Sequence, residues 1–124
     1  MTTKYGYSED AWNKAKEEMR TILIDRAKNR GMIPYSELVR QIKTIHLEPD
    51  SYALGNMLGE ISTEEDSASR GMLSVLVVHK SGDMQPGPGF YELAKSLGKD
   101  TSDILVFWVA ELKRVFAYWS NKNK

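Results

Sequence analysis

Apolar side chains return at helical spacing near the start of the chain: Ala11, Trp12, Ala15, Met19, Ile22 and Leu23 fall on one side of a helix. Ser8 stands where an N-cap belongs, and Glu9 and Asp10 place negative charge in the first turn, where the helix dipole favours it. Arg26 continues the stripe and reads as a snorkelling stem or an ion pair at the core edge. Gly31, after Lys28 and Arg30, is predicted to end the helix as its C′ residue. Pro34 then drives Ile33 into extended geometry. A second helix is predicted over residues 36–45, with Leu38, Val39, Ile42 and Ile45 inward and Arg40 and Lys43 outward. Pro49 breaks it and Asp50 is expected to cap a third helix, in which Leu54, Met57, Leu58 and Ile61 face inward. Gly55 and Gly59 on that helix imply close approach of another element. Residues 62–70, with the run Glu64-Glu65-Asp66, read as a solvated loop.

The pattern changes at residues 71–80, a dense aliphatic run that predicts one buried strand. Ser81-Gly82-Asp83 then tolerates a turn, and Pro86-Gly87-Pro88-Gly89 cannot continue a ladder because its prolines lack an N–H. This strand and its return are expected to form the molecule's β-hairpin. Phe90, Tyr91, Leu93, Ala94 and Leu97 make a short helix closed by Gly98. In the last helix, capped by Asp100 or Thr101, the stripe Ile104, Leu105, Trp108, Val109, Leu112, Val115, Phe116 and Trp119 covers nearly half the circumference. Phe107 and Tyr118 lie off that stripe, where an aromatic pair faces either a partner or a second layer of the fold. Residues 1–7 and 121–124 read as disordered arms around a single domain spanning residues 1–124.

Composition narrows the functional classes. Seventeen basic residues balance seventeen acidic ones, which counts against nonspecific polyanion binding. Residues 1–48 carry nine basic and seven acidic side chains, residues 49–100 four and eight, and residues 101–124 four and two, so the middle is acidic. The chain has no cysteine, which excludes disulfides, thiolate metal sites and a cysteine nucleophile, and fits a reducing cytoplasm. No stretch approaches the length of a membrane span, and no signal-peptide core opens the chain.

Catalytic signatures are absent from the motif pattern. His46 and His79 share no metal-binding spacing, Gly82, Gly87 and Gly89 lack the Lys-Ser/Thr of a Walker loop, and Ser74 and Ser81 sit in no nucleophile elbow. Glu60, His79, Asp83 and Glu92 are the residues a small hydrolase or nuclease would have to use. No catalytic residue, metal or cofactor is expected.

What remains is order: three helices, a strand, a Gly-containing tip and a return. That is the order of a winged helix and predicts a winged-helix-like core, mainly α with a small β-hairpin and here an extra long C-terminal helix. The segment from Arg30 to Val39, with Pro34-Tyr35-Ser36, resembles the opening of the DNA-binding domain of alkylguanine alkyltransferases and alkyltransferase-like proteins. Ser51-Tyr52-Ala53-Leu54-Gly55-Asn56-Met57-Leu58 is similar to that family's recognition helix, and Ser81-Gly82-Asp83 takes the place of its turn. The likeness spans about residues 30–83. It implies a winged-helix fold and gives Tyr35 a phosphate-contacting role. The family's cysteine has no counterpart within Leu73-Ser74-Val75-Leu76, and Tyr52 stands where its base-displacing arginine would be, so alkyl transfer is not implied. The run Leu73 to Lys80 followed by Pro86-Gly87-Pro88-Gly89-Phe90 is also similar to small bacterial proteins without an assigned activity.

Two functions follow as expectations. In the first, a non-enzymatic winged-helix protein binds duplex DNA, with Tyr52 and Asn56 toward base edges and Tyr35, Arg40, Lys43, Lys80 and Ser81 toward phosphates. Against it, residues 50–61 hold no Lys or Arg. In the second, the scaffold is an adaptor or subunit of a bacterial complex, or a homo-oligomer, with Phe107, Tyr118 and Trp119 as its contact face.

Overall fold

The computed structural model describes residues 3–79 and 86–122, and these form a mainly helical domain. Helix α1 (Glu9–Lys28) begins at Ser8, whose hydroxyl accepts the Ala11 N–H at 3.1 Å. It buries Trp12, Ala15, Met19, Leu23 and Ala27, the expected stripe continued by one turn. Its end departs from expectation. Arg30, not Gly31, takes the left-handed position (φ 54°), while Gly31 N–H bonds Arg26 O at 2.8 Å and Arg30 N–H bonds Ala27 O at 3.1 Å. This is the six-to-one and five-to-two pairing of a Schellman cap. Arg26 is structural: its guanidinium donates to Met32 O at 3.0 Å and pairs with Glu37 at 3.3 Å.

The N-terminal segment is not the expected loose arm. Strands β1 (Thr3–Lys4) and β2 (Tyr7–Ser8) pair antiparallel across a turn in which Tyr5 and Gly6 both have positive φ, the geometry of a tight hairpin. Aromatic contacts hold it down: Tyr5 stacks on Trp12 at 5.4 Å, and the Tyr7 hydroxyl donates to His46 O at 2.6 Å.

Strand β3 (Ile33–Pro34) leads into α2 (Tyr35–Gln41), which stops four residues short of the expected end. Ile42 is extended but still buried, and the Glu18 carboxylate of α1 accepts the next two amide protons, from Lys43 (2.9 Å) and Thr44 (3.2 Å). A side chain thus replaces the helical acceptors that would have continued the turn. Helix α3 (Tyr52–Ser67) is capped by Ser51, not Asp50, through a 3.2 Å bond from Leu54 N–H.

Two expectations fail after Ile61. The acidic run is not a loop but the last turns of α3, and Glu65 within it is buried. Lys16 and Arg20 of α1 reach across to it: Lys16 pairs with Glu60 (3.1 Å) and Glu64 (2.9 Å), and Arg20 with Glu64 and Glu65. Arg70 closes on Glu65 with two bonds of 2.7 and 2.8 Å. Neutralised from another helix, the carboxylates no longer need solvent.

The predicted strand at residues 71–80 is mostly something else. Leu73–Leu76 form one 3₁₀ turn, and among the described residues of the run the strand is confined to Val77–Val78 (β4), pairing in parallel with β3. The sheet is therefore not the expected wing hairpin, and no return strand occurs among the described residues. The run is nonetheless buried from Met72 to Val78. Its polar backbone atoms find side chains instead of a ladder: Met72 N–H donates to Glu111 Oε2 (2.7 Å), Ser74 N–H to Ser62 Oγ (2.9 Å), and Val75 O accepts from Trp108 Nε1 (3.2 Å). A continuous apolar run carries no period, so burial on all sides suits a turn of helix as well as a strand.

Helix α4 (Pro88–Ser96) starts on Gly87 and ends at Gly98, which has the left-handed φ expected of it (83°). Helix α5 (Ile104–Lys122) is capped by Asp103, whose carboxylate accepts the Val106 N–H at 3.1 Å. It lies along α1 and across the 3₁₀ turn and reaches into the expected C-terminal arm. Of the predicted stripe, Trp108, Leu112, Val115, Phe116 and Trp119 face the core, joined by Phe107 and Glu111, while Ile104, Leu105 and Val109 are exposed. Among the described residues no helix is long and apolar enough to cross a membrane.

Candidate functional site

A cleft of about 1060 Å³ runs between the first turns of α3 and the start of α4. Its floor is made by absence. A Cβ at Gly55 would meet nothing within 4 Å, and one at Gly59 would just touch Leu93 Cδ2 at 3.9 Å. The two glycines therefore do not mark tight helix packing, as the spacing implied, but keep the face of α3 bare. Tyr52, 87% exposed, and Asn56 stand on the same face, and the Asn56 amide donates back to Tyr52 O at 2.8 Å. Phe90 and Leu93 of α4 form the opposite wall.

One end of the cleft is closed by a polar aromatic pair. The Tyr35 hydroxyl accepts the Gly87 N–H at 2.9 Å, and the Tyr35 and His79 rings lie 5.0 Å apart. Burial pushes the Tyr35 hydroxyl above the usual tyrosine range, against the opposing pull of the Gly87 donor. His79 Nε2 would sit 3.2 Å from a Cβ at Gly87, so glycine lets the start of α4 close on the imidazole. Toward the other end, Glu60 is engaged from α1 by Trp12 Nε1 and Lys16 Nζ, each at 3.1 Å.

The charge of the lining is one-sided. Asp50, Glu60, Glu64 and Glu92 contribute carboxylates, and no Lys or Arg is among the described lining residues. Burial opposes the charge on Glu64, but Lys16 and Arg20 outweigh it and hold its carboxyl below the usual range. Among the described residues, Asp50 and Glu92 have no such partner.

The expected DNA-contact residues separate. Tyr35, Tyr52 and Asn56 line this cleft. Arg40 is exposed on α2 outside it, and Lys43, beyond the end of α2, borders a shallow depression on α1 with Lys14 and Glu17. Lys80 and Ser81 lie outside the described residues, as do the expected turn Ser81-Gly82-Asp83 and Asp83 of the hydrolase set. The rest of that set, Glu60, His79 and Glu92, shares the cleft lining, with Glu60 tied to α1. No group of three or more His, Asp or Glu is arranged to hold a metal ion among the described residues.

The expected contact face of α5 is largely turned inward. Phe107 packs on Phe90 at 5.8 Å, and Tyr118 and Trp119 meet edge-on at 4.9 Å, all half-buried. Trp119 Nε1 is buried without a hydrogen-bond partner among the described residues. The large exposed apolar side chains of the helix among the described residues are Ile104, Leu105, Val106 and Val109. By sequence, Phe90 and Leu93 fall on a short helix with no assignment to a cleft; they belong to the core and its edge and line the cleft as well, and the bare pair Gly55 and Gly59 was the available signal.

Comparison with protein-family models, with characterised proteins and with solved structures gives no match to this chain.

Proposed function

We propose that this protein is a non-catalytic interaction module whose α3–α4 cleft receives a basic segment of a partner protein. The observation that carries this reading is the cleft itself: a glycine floor, aromatic and aliphatic walls, and a described lining that holds carboxylates and no Lys or Arg, Glu60 and Glu64 being paired from α1 and Asp50 and Glu92 left to a ligand. A segment with Lys or Arg complements that charge, its cations can stack on Tyr52, and its backbone can approach where Gly55 and Gly59 have no side chain. Tyr52 is an aromatic of the kind that anchors interfaces, and in the free protein it is almost fully exposed.

The element order α1, β3, α2, α3, β4 supports a winged-helix-like scaffold with α3 in the recognition position. Duplex DNA is the weaker occupant. Phosphates require cations, α3 has none from Tyr52 to Ser67, and the lining is acidic.

The test is a titration with two labelled peptides of equal apolar content, one rich in Lys and Arg and one rich in Glu, beside a labelled duplex at two salt concentrations. The basic peptide is expected to bind, and Tyr52→Ala and Gly55→Leu to abolish that binding. Equal binding of both peptides, or tight duplex binding that collapses with salt, would overturn the reading.

A further inference from the structure

The outward face of α5 lies opposite its buried residues Glu111 and Val115 and runs through Val106, Val109, Ala110, Lys113 and Ala117. A surface helix normally turns its charged residues this way. Here four of the five are apolar, and Val106 is 65% exposed. The single cation of the line is Lys113, and the carboxylate nearest the line's other end is the cap, Asp103. Ten residues separate them, about 15 Å along the helix, too far for a pair within one copy.

We infer that this face is self-complementary and that two copies of the chain associate through antiparallel α5 helices. A two-fold axis level with Phe107 and Trp108 sets Val106 of each copy against Val109 of the other. The same axis brings each Lys113 to the start of the other copy's α5, where Asp103 sits. One contact thus forms two equivalent ion pairs, as an isologous interface requires. The side chain of Ala110 is small enough for close approach of the axes. Opposed helix dipoles add to the attraction. A heterologous partner would not need the cation and the carboxylate placed symmetrically about the apolar centre. A single helix pair buries less than the roughly 1,000 Å² of a stable interface, so the dimer is weak and concentration-dependent. The association is independent of the α3–α4 cleft, which lies on other elements.

Sedimentation equilibrium from about 10 µM to about 1 mM, a range that brackets weak association, is the first measurement. The mass is expected to rise toward twice the monomer, and Val106→Glu to weaken association at least tenfold with an unchanged thermal unfolding curve, because the side chain is exposed. Orientation is read by cross-linking, which the cysteine-free sequence makes clean. Val106→Cys and Val109→Cys proteins, mixed and oxidised, are expected to link to one another, while Lys113→Cys does not link to itself. A monomer throughout the range, a dimer indifferent to Val106→Glu, or ready self-linking of Lys113→Cys would overturn the inference.

Discussion

Glu111 Oε2 of α5 accepts the backbone N–H of Met72 at 2.7 Å, and both residues are buried. This bond fixes the chain where it leaves α3 and enters the core. Removing the carboxylate strands an amide proton away from water, at a cost of about 1–3 kcal/mol. Glu111→Ala is therefore expected to lower the urea midpoint clearly, while Glu111→Gln, which keeps an acceptor oxygen, is mild. Equal losses in the two variants would show that packing rather than the bond matters.

Gly71 precedes that contact with φ 92°, and a Cβ there would lie 2.8 Å from Val115 Cγ2 and 3.3 Å from Glu111 Oε2. Gly71→Ala combines backbone strain with a clash inside α5 packing, and is expected to destabilise by about 1–3 kcal/mol or more. Val115→Ala in the same chain should restore part of the loss. Additive losses in the double variant would contradict the clash.

Glu65 answers to two guanidiniums, Arg70 at 2.7 Å and Arg20 at 2.6 Å. Burial alone would raise its carboxyl, but Arg70 and Arg20 outweigh burial and hold it below its ordinary value of 4.5. A carboxyl depressed in the folded state contributes stability that is present above its unfolded value and lost as pH falls through the folded one. Stability should thus decline as pH drops below about 4.5, and Glu65→Gln should flatten that limb. Arg20→Met and Arg70→Met singly leave one partner each. Together they strand a buried charge, and the double variant should lose about 3–5 kcal/mol, more than the sum of the singles. Additivity in denaturant melts would refute the shared role.

Gly55 offers a way to close the cleft without harming the fold. Gly55→Leu places its side chain where a Cβ meets nothing within 4 Å, and it removes a helix-interior glycine worth about 1 kcal/mol. The variant should melt at or above the parent temperature while losing binding of a basic peptide. Retained binding would place the site elsewhere.

The elements most legible in the sequence were those with a period and a cap. Ser8 before Glu9 and Asp10, the stripe through Met19 and Leu23, and Gly98 after Leu97 each act over a few residues, so local chemistry determined α1 and the end of α4. The bare pair Gly55 and Gly59 was visible too, though not whether another element or a cleft would lie above it. Three features depended on residues far away in the chain. Glu64-Glu65-Asp66 became helix because distant cations supply counter-charge, Lys16 and Arg20 from more than forty positions earlier and Lys99 and Arg114 from more than thirty positions later. Residues 73–76 became a 3₁₀ turn because Glu111, Ser62 and Trp108 satisfy the backbone around it in place of a neighbouring strand. The docking of α5 was decided by Glu111 and Val115 at Gly71, which buries the middle of the helix and leaves Val106 and Val109 in solvent. Periodicity and capping are short-range and can be read along the chain. Charge compensation, backbone satisfaction and helix docking are set by whichever side chains the completed packing brings within a few ångströms.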